Sequence, residues 1–189
     1  MRIIAGLHRG RRLRAPRGAD VRPTSDALRE TLFNLLRAHV AGARVLEGFA
    51  GTGAIGLEAL SRGAAHVTFV ERDRRALDVL RQNVAACSAG DACAIIRDDF
   101  VGVGARHPTG PYDLVIVDPP YDTHSYEPIL LEAAARLAPG GIVVVEHHRR
   151  TTVPTLAAGL SRQRVVTAGD SALAFYAADA GDPGGRRRD

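Results

Sequence analysis

Leu46-Glu47-Gly48-Phe49-Ala50-Gly51-Thr52-Gly53 closes a short apolar run, and Ala54-Ile55-Gly56-Leu57 opens a helical stretch directly behind it. Gly51, Gly53 and Gly56 match G-x-G-x-x-G, and Glu71 stands twenty residues after Gly51, at the end of the next apolar run. A strand, a glycine turn that lets a ligand approach the backbone, and a helix N-terminus together form the first unit of a nucleoside-binding α/β sheet. Taken alone, the pattern suits a nicotinamide dinucleotide, with its pyrophosphate on the helix end and a ribose diol on Glu71. Other nucleoside cofactors can use the same geometry.

Working outward, short apolar runs alternate with helical spacing. Strands are predicted at Val45-Leu46, His66 to Val70, Cys93 to Ile96, Leu114 to Val117 and Ile142 to Val145, with helices at about 54–62, 73–87 and 126–137. Another helix is predicted from Thr24-Ser25-Asp26, carrying Leu28, Leu32, Leu35 and Leu36 on one face. Such alternation predicts an α/β fold, a doubly wound and mostly parallel sheet covered on both faces. Arg162 to Val166 and Leu173 to Tyr176 flank a turn at Ala168-Gly169-Asp170, which predicts an antiparallel pair at the sheet edge. Pro139-Gly140-Gly141 reads as a helix stop and turn, and residues 179–189 as a disordered tail.

Glu47 argues about the cofactor. A carboxylate at the strand end faces the crevice where a pyrophosphate would lie, and like charges there repel. A donor that is cationic at that end is attracted instead. S-adenosylmethionine fits, having an ammonium, a sulfonium and no phosphate, with a ribose diol for Glu71. Phe49, Gly51, Gly53, Glu71 and Arg72 are thus the expected cofactor side, together with the end of the third strand, Asp98-Asp99-Phe100. There a carboxylate can accept the adenine amino group while Phe100 packs on its face; either aspartate could do so, or both could cap the next helix.

The fourth strand runs into Asp118-Pro119-Pro120-Tyr121. Two prolines end the ladder and leave a rigid turn whose carbonyls no helix consumes. An acid, a rigid carbonyl and an aromatic ring suit methyl transfer to an exocyclic amine on a planar base. Asp118 and the Pro119 carbonyl would each accept one N–H and aim the nitrogen lone pair, and Tyr121 would stack on the ring. Rival readings are a nicotinamide-dependent oxidoreductase, an adenine-N6 nucleic-acid methyltransferase, or a catalytically silent RNA-binding module.

The chain has 189 residues and a formal net charge of +4, unevenly spread. Residues 1–22 hold seven arginines against Asp20, a net of +6, which leaves −2 for the remainder. Arg2-Ile3-Ile4 and Arg12-Leu13-Arg14 read as strands around a turn at His8-Arg9-Gly10, a small hairpin suited to binding nucleic-acid phosphates. Length and composition predict one soluble domain rather than a disordered or fibrous chain. With no apolar secretion segment at the start, a cytoplasmic location is expected. Cys87 and Cys93 fit neither a disulfide framework nor metal spacing, and His147 and His148 are read as surface residues rather than metal ligands.

The motifs Arg22-Pro23-Thr24, Arg29-Glu30-Thr31-Leu32-Phe33-Asn34, Phe49-Ala50-Gly51-Thr52-Gly53, Gly56-Leu57-Glu58-Ala59-Leu60-Ser61-Arg62-Gly63-Ala64 and Asp118-Pro119-Pro120-Tyr121 resemble the RsmD family, over about residues 1–177. The resemblance implies a class I methyltransferase with a seven-stranded, Rossmann-like sheet, using S-adenosylmethionine on a guanine N2 amine of 16S rRNA in an assembled small ribosomal subunit. The charge split and element pattern set a basic RNA-binding arm at 1–22 and a methyltransferase domain at 23–178, and a monomer without metal is expected. Arg9, Arg11, Arg12, Arg22, Thr24 and Arg29 become the expected RNA contacts. This chain departs from the family pattern at Glu47, usually Asp, and at Asp98, usually Gly.

Overall fold

A computed structural model describes residues 1–15 and 26–179. The expected contacts Arg22 and Thr24, the helix-start residues Thr24-Ser25 and the tail from residue 180 lie outside the described residues.

One sheet organises the chain, in the order β3-β2-β1-β4-β5-β8-β7-β6. Its parallel part comprises β1 (Arg44–Gly48), β2 (His66–Glu71), β3 (Cys93–Arg97), β4 (Tyr112–Val117) and β5 (Leu137–His148). Its antiparallel part comprises β6 (Leu156–Ala157), β7 (Leu160–Ala168) and β8 (Ser171–Ala178). The terminal hairpin therefore forms as expected, and the two-residue β6 adds an eighth strand to the seven. Strand order reverses between β1 and β4, the switch point where open α/β sheets leave a crevice beyond the strand ends.

Period-two alternation builds a core on each face of the sheet. Leu114 and Ile116 of β4 join Val45 and Phe69 on one face, while Val115 and Val117 join Leu46 and Val70 on the other. On the first face lie α1 (Asp26–Leu35), the short α2 (Arg37–Val40), α3 (Ala54–Ser61) and α4 (Arg74–Ala86). The second carries α5 (Val103–Arg106) and α6 (Glu127–Ala134). In α3, seven of eight residues are buried. Sheet on one side and N-terminal arm on the other leave this helix no solvent face, which explains its nearly unbroken apolar sequence.

Two local expectations change. The helix predicted to 137 ends at Ala134, and Pro139-Gly140-Gly141 lies inside β5 rather than before it. The β4–β5 register shifts between Tyr112 and Leu114, so this stretch is a bulge, with Gly140 at φ 76°.

Candidate active site and RNA arm

Glu47 ends β1 beneath the glycine loop and is 3% exposed. Its Oε2 accepts the Gly56 N–H at 2.7 Å, in the first turn of α3. Any Cβ on Gly56 would lie 2.6 Å from that oxygen and 2.5 Å from the Phe69 ring, so glycine is what lets helix and acid meet. Burial pushes the Glu47 carboxyl up to about 8; the neighbouring Asp118 charge adds to this, and the Gly56 hydrogen bond works against it. Asp118 is held beside Glu47 because its N–H donates to the Gly48 carbonyl at 3.4 Å, across the β1–β4 switch point.

Glu71, at the end of β2, accepts the Gly51 N–H at 2.7 Å through Oε2 and the Asp73 N–H at 2.7 Å through Oε1. It thus braces the glycine loop from below, and each oxygen keeps a further lone pair for a hydroxyl. Capping of α4 falls to Asp73, which accepts the Ala76 N–H at 2.8 Å.

At the third strand end the two aspartates separate. Asp98 is clasped by Arg106 through Nε at 2.6 Å and Nη2 at 2.9 Å, which hold its carboxyl down to about 2. That pairing fastens Asp98 to the loop. Asp99 pairs with Arg72 at 2.8 Å and is more exposed. Phe100 also differs from expectation, being 1% exposed, with its ring against Gly48, where any Cβ would meet it at 2.3 Å. It shows no face to the crevice; the half-buried Phe49, 5.5 Å away between ring centroids, lies above it at the loop.

Asp118-Pro119-Pro120-Tyr121 leaves β4 at the crevice, with Asp118 half-buried and Tyr121 50% exposed. The Tyr121 hydroxyl lies 3.0 Å from Ser171 Oγ, and its ring meets His148 edge-on at 5.9 Å. Both partners follow from the β5–β8 register, which sets His148 opposite Ser171. His147 corrects the sequence expectation: it is 3% exposed rather than on the surface, with Nδ1 3.0 Å from the His148 carbonyl oxygen, and burial lowers its pKa. Among the described residues no cluster of three or more His, Cys, Asp or Glu could hold a metal.

The arm is docked. Arg2 bridges Arg12, the Ile3 N–H donates to the Arg11 carbonyl at 2.9 Å, and Ile3 and Leu13 enter the main core. Glu58, fully buried on α3, accepts the Ile4 and Ala5 N–H groups at 2.7 and 3.0 Å and the Arg62 Nε at 2.7 Å. Ser61 takes the Leu7 N–H on its carbonyl and the His8 N–H on its hydroxyl. Gly6, at φ 81°, permits this, since a Cβ there would lie 1.7 Å from the Ser61 carbonyl oxygen. Arg9, Arg11 and Arg12 remain exposed. Arg29 does not: its side chain is buried, donating to the Arg2 carbonyl at 2.7 Å and to Asp26 at 2.9 Å. It fastens the arm instead of meeting phosphate.

Sequence reasoning missed Glu58, Ser61, Asn83 and Ser171. The first three were detectable as polar residues within otherwise apolar helical faces; Ser171 carried no local signal.

A family model described as "Conserved hypothetical protein 95" matches residues 1–177. The Ribosomal RNA small subunit methyltransferase D of Escherichia coli strain K12 is 40% identical over 182 residues, covering 95% of this chain and 91% of that protein. The protein of that name from Haemophilus influenzae is 39% identical over 152 residues, covering 77% of this chain and 78% of the relative. The solved structure of Escherichia coli yhhF superposes with a TM-score of 0.79 at 38% identity, over 93% of this chain and 96% of that one. The chain belongs to this family, the RsmD family of α/β methyltransferases that its glycine loop and Asp-Pro-Pro-Tyr turn resemble.

Proposed function

We propose that this protein transfers a methyl group from S-adenosylmethionine to the exocyclic N2 amine of a guanine in 16S rRNA. One observation carries the reading: two acids, Glu47 and Asp118, meet at the β1–β4 switch point beside an exposed tyrosine, with the Glu47 carboxyl pushed up to about 8. A buried acid in that state gains when a cation arrives. The acids Glu71 and Asp118, joined by Glu47 once it gives up its proton, suit an ammonium and a sulfonium, and a pyrophosphate gains nothing from them. This weighs against a nicotinamide dinucleotide.

S-adenosylmethionine, when bound, supplies a methyl group activated by its sulfonium. Glu47 holds the cationic end, Glu71 accepts the ribose hydroxyls, and Asp99 is the nearer candidate for the adenine amine. Asp118 and the Pro119 carbonyl each accept an N–H of the target amine, whose lone pair is otherwise delocalised into the base. As the new N–C bond forms and the donor's C–S bond breaks, positive charge grows on nitrogen beside the Asp118 carboxylate. That charge is stabilised there until the nitrogen gives up its proton to Asp118 or to water. Tyr121 stacks on the base and, through Ser171, resists rotation.

Arg9, Arg11 and Arg12 line the exposed side of the docked arm and would track phosphates of the substrate, an assembled or assembling small subunit in the cytoplasm. Among the described residues no helix is long and apolar enough to cross a membrane. The test incubates the protein with labelled S-adenosylmethionine and immature small subunits, naked 16S rRNA or DNA. Label in the rRNA is expected; none in any RNA, together with tight NADH binding, overturns the proposal.

A further inference from the structure

Asn83 sits on α4, fully buried, along the face that carries Leu80 and Val84 into the core. An uncharged amide there must satisfy its polar atoms from elsewhere. Its carbonyl oxygen accepts the Arg14 N–H at 2.8 Å, and its amide donates to the Arg14 carbonyl at 3.1 Å and the Thr52 carbonyl at 3.0 Å. One side chain thus joins the second strand of the arm to the glycine loop. The first strand is tied to the far end of the following helix, where Glu58 and Ser61 receive the N–H groups of Ile4, Ala5, Leu7 and His8. Loop and helix are therefore clasped at both ends by the element proposed to bind RNA.

We infer that Asn83 is a positioning residue that couples the cofactor site to the RNA arm, so that the two substrates bind with positive cooperativity. This rests on the function proposed above. A bound donor immobilises the Thr52 peptide, and both amide hydrogens of Asn83 are already committed, so fixing Thr52 also fixes Arg14. RNA then meets an arm held more firmly in its docked position, and by linkage RNA tightens donor binding by the same factor. Only the Arg14 backbone takes part in the clasp; its guanidinium lies on the surface, donating to Gln82 at 3.0 Å.

The test measures the affinity of the full-length protein for immature small subunits with and without saturating S-adenosylhomocysteine. Wild type is expected to bind at least about fivefold more tightly with it, the low end of ordinary site–site coupling. Asn83→Asp keeps an acceptor for the Arg14 N–H but loses both donors; its ratio should fall toward one while S-adenosylhomocysteine still binds the free variant. Arg14→Ala, which leaves the backbone clasp in place, should keep the wild-type ratio. Should Asn83→Asp not fold, Glu58→Gln weakens the other tie, leaving one acceptor oxygen where two served, and should also lower the ratio. A wild-type ratio of one, or a ratio unchanged in the folded variant, overturns the coupling. Wild type that binds neither S-adenosylhomocysteine nor subunits overturns the proposed function instead.

Discussion

Replacing Glu47 with Gln removes a titrating acid from beneath the glycine loop while keeping its size. In the free protein the Glu47 carboxyl stands at about 8 against an ordinary 4.5, chiefly because it is buried. At pH 7 most molecules therefore hold it protonated, and a cationic donor must release that proton to gain an ion pair. If the bound acid returns to its ordinary range, about 0.9 proton leaves per donor bound at pH 7, and affinity rises roughly ninefold from pH 6 to pH 7. The donor's own ammonium stays largely protonated across that window, its α-amino pKa being about 8. Calorimetry in two buffers of different ionisation heat reads the proton count directly. Glu47→Gln should release close to none and show a flat affinity between pH 6 and 7. A flat wild-type profile, or the same slope in the Gln variant, refutes the reasoning. The empty protein should obey the same linkage. A raised folded pKa gives stability that is fully present below the unfolded value and is lost as pH rises through about 8. Its melting temperature should thus fall from pH 6 to 9 more steeply than that of Glu47→Gln.

Other substitutions separate chemistry, RNA binding and folding. Asp118→Ala should lower the rate of transfer by about 10²–10³, the size expected for one lost group stabilising transition-state charge, with S-adenosylhomocysteine affinity little changed; near-normal turnover removes Asp118 from its role. Replacing Arg9, Arg11 and Arg12 together by Ala should leave the melting temperature intact and reduce the salt slope of RNA binding by up to about 2 logarithmic units, if each meets one phosphate. An unchanged slope would confine the arm to packing. Gly6→Ala places a Cβ 1.7 Å from the Ser61 carbonyl oxygen in a left-handed backbone, and should cost about 2–4 kcal/mol in denaturant titration. Glu58→Ala strips the acceptors from the Ile4 and Ala5 N–H groups and from Arg62; the loss of a buried ionic partner should cost about 3–5 kcal/mol.

Much of the candidate crevice was legible because it is local. The glycine loop, Glu71 and the Asp-Pro-Pro-Tyr turn each lie within a few residues of a strand end, and strand–helix alternation alone sets those ends along one crevice. Long-range relations were harder to read. Arg29 looks like a surface cation in sequence, yet it shares a helix face with Leu28, Leu32 and Phe33 and is needed there to satisfy the Arg2 carbonyl. His147 is buried because β8 returns alongside β5, a pairing its neighbours in sequence do not reveal. Phe100 turns under Gly48 rather than outward because that glycine leaves room for its ring. Charge counting found the arm but not its attachment, since Glu58 and Asn83 meet backbone groups more than fifty residues away.

The most direct test of the central claim is nucleoside analysis of 16S rRNA from immature small subunits after incubation with the protein and labelled S-adenosylmethionine. Label in N2-methylguanosine, lowered about a hundredfold or more in initial rate with Asp118→Ala, is the predicted result. Label confined to N6-methyladenosine, or no label in the rRNA, contradicts it.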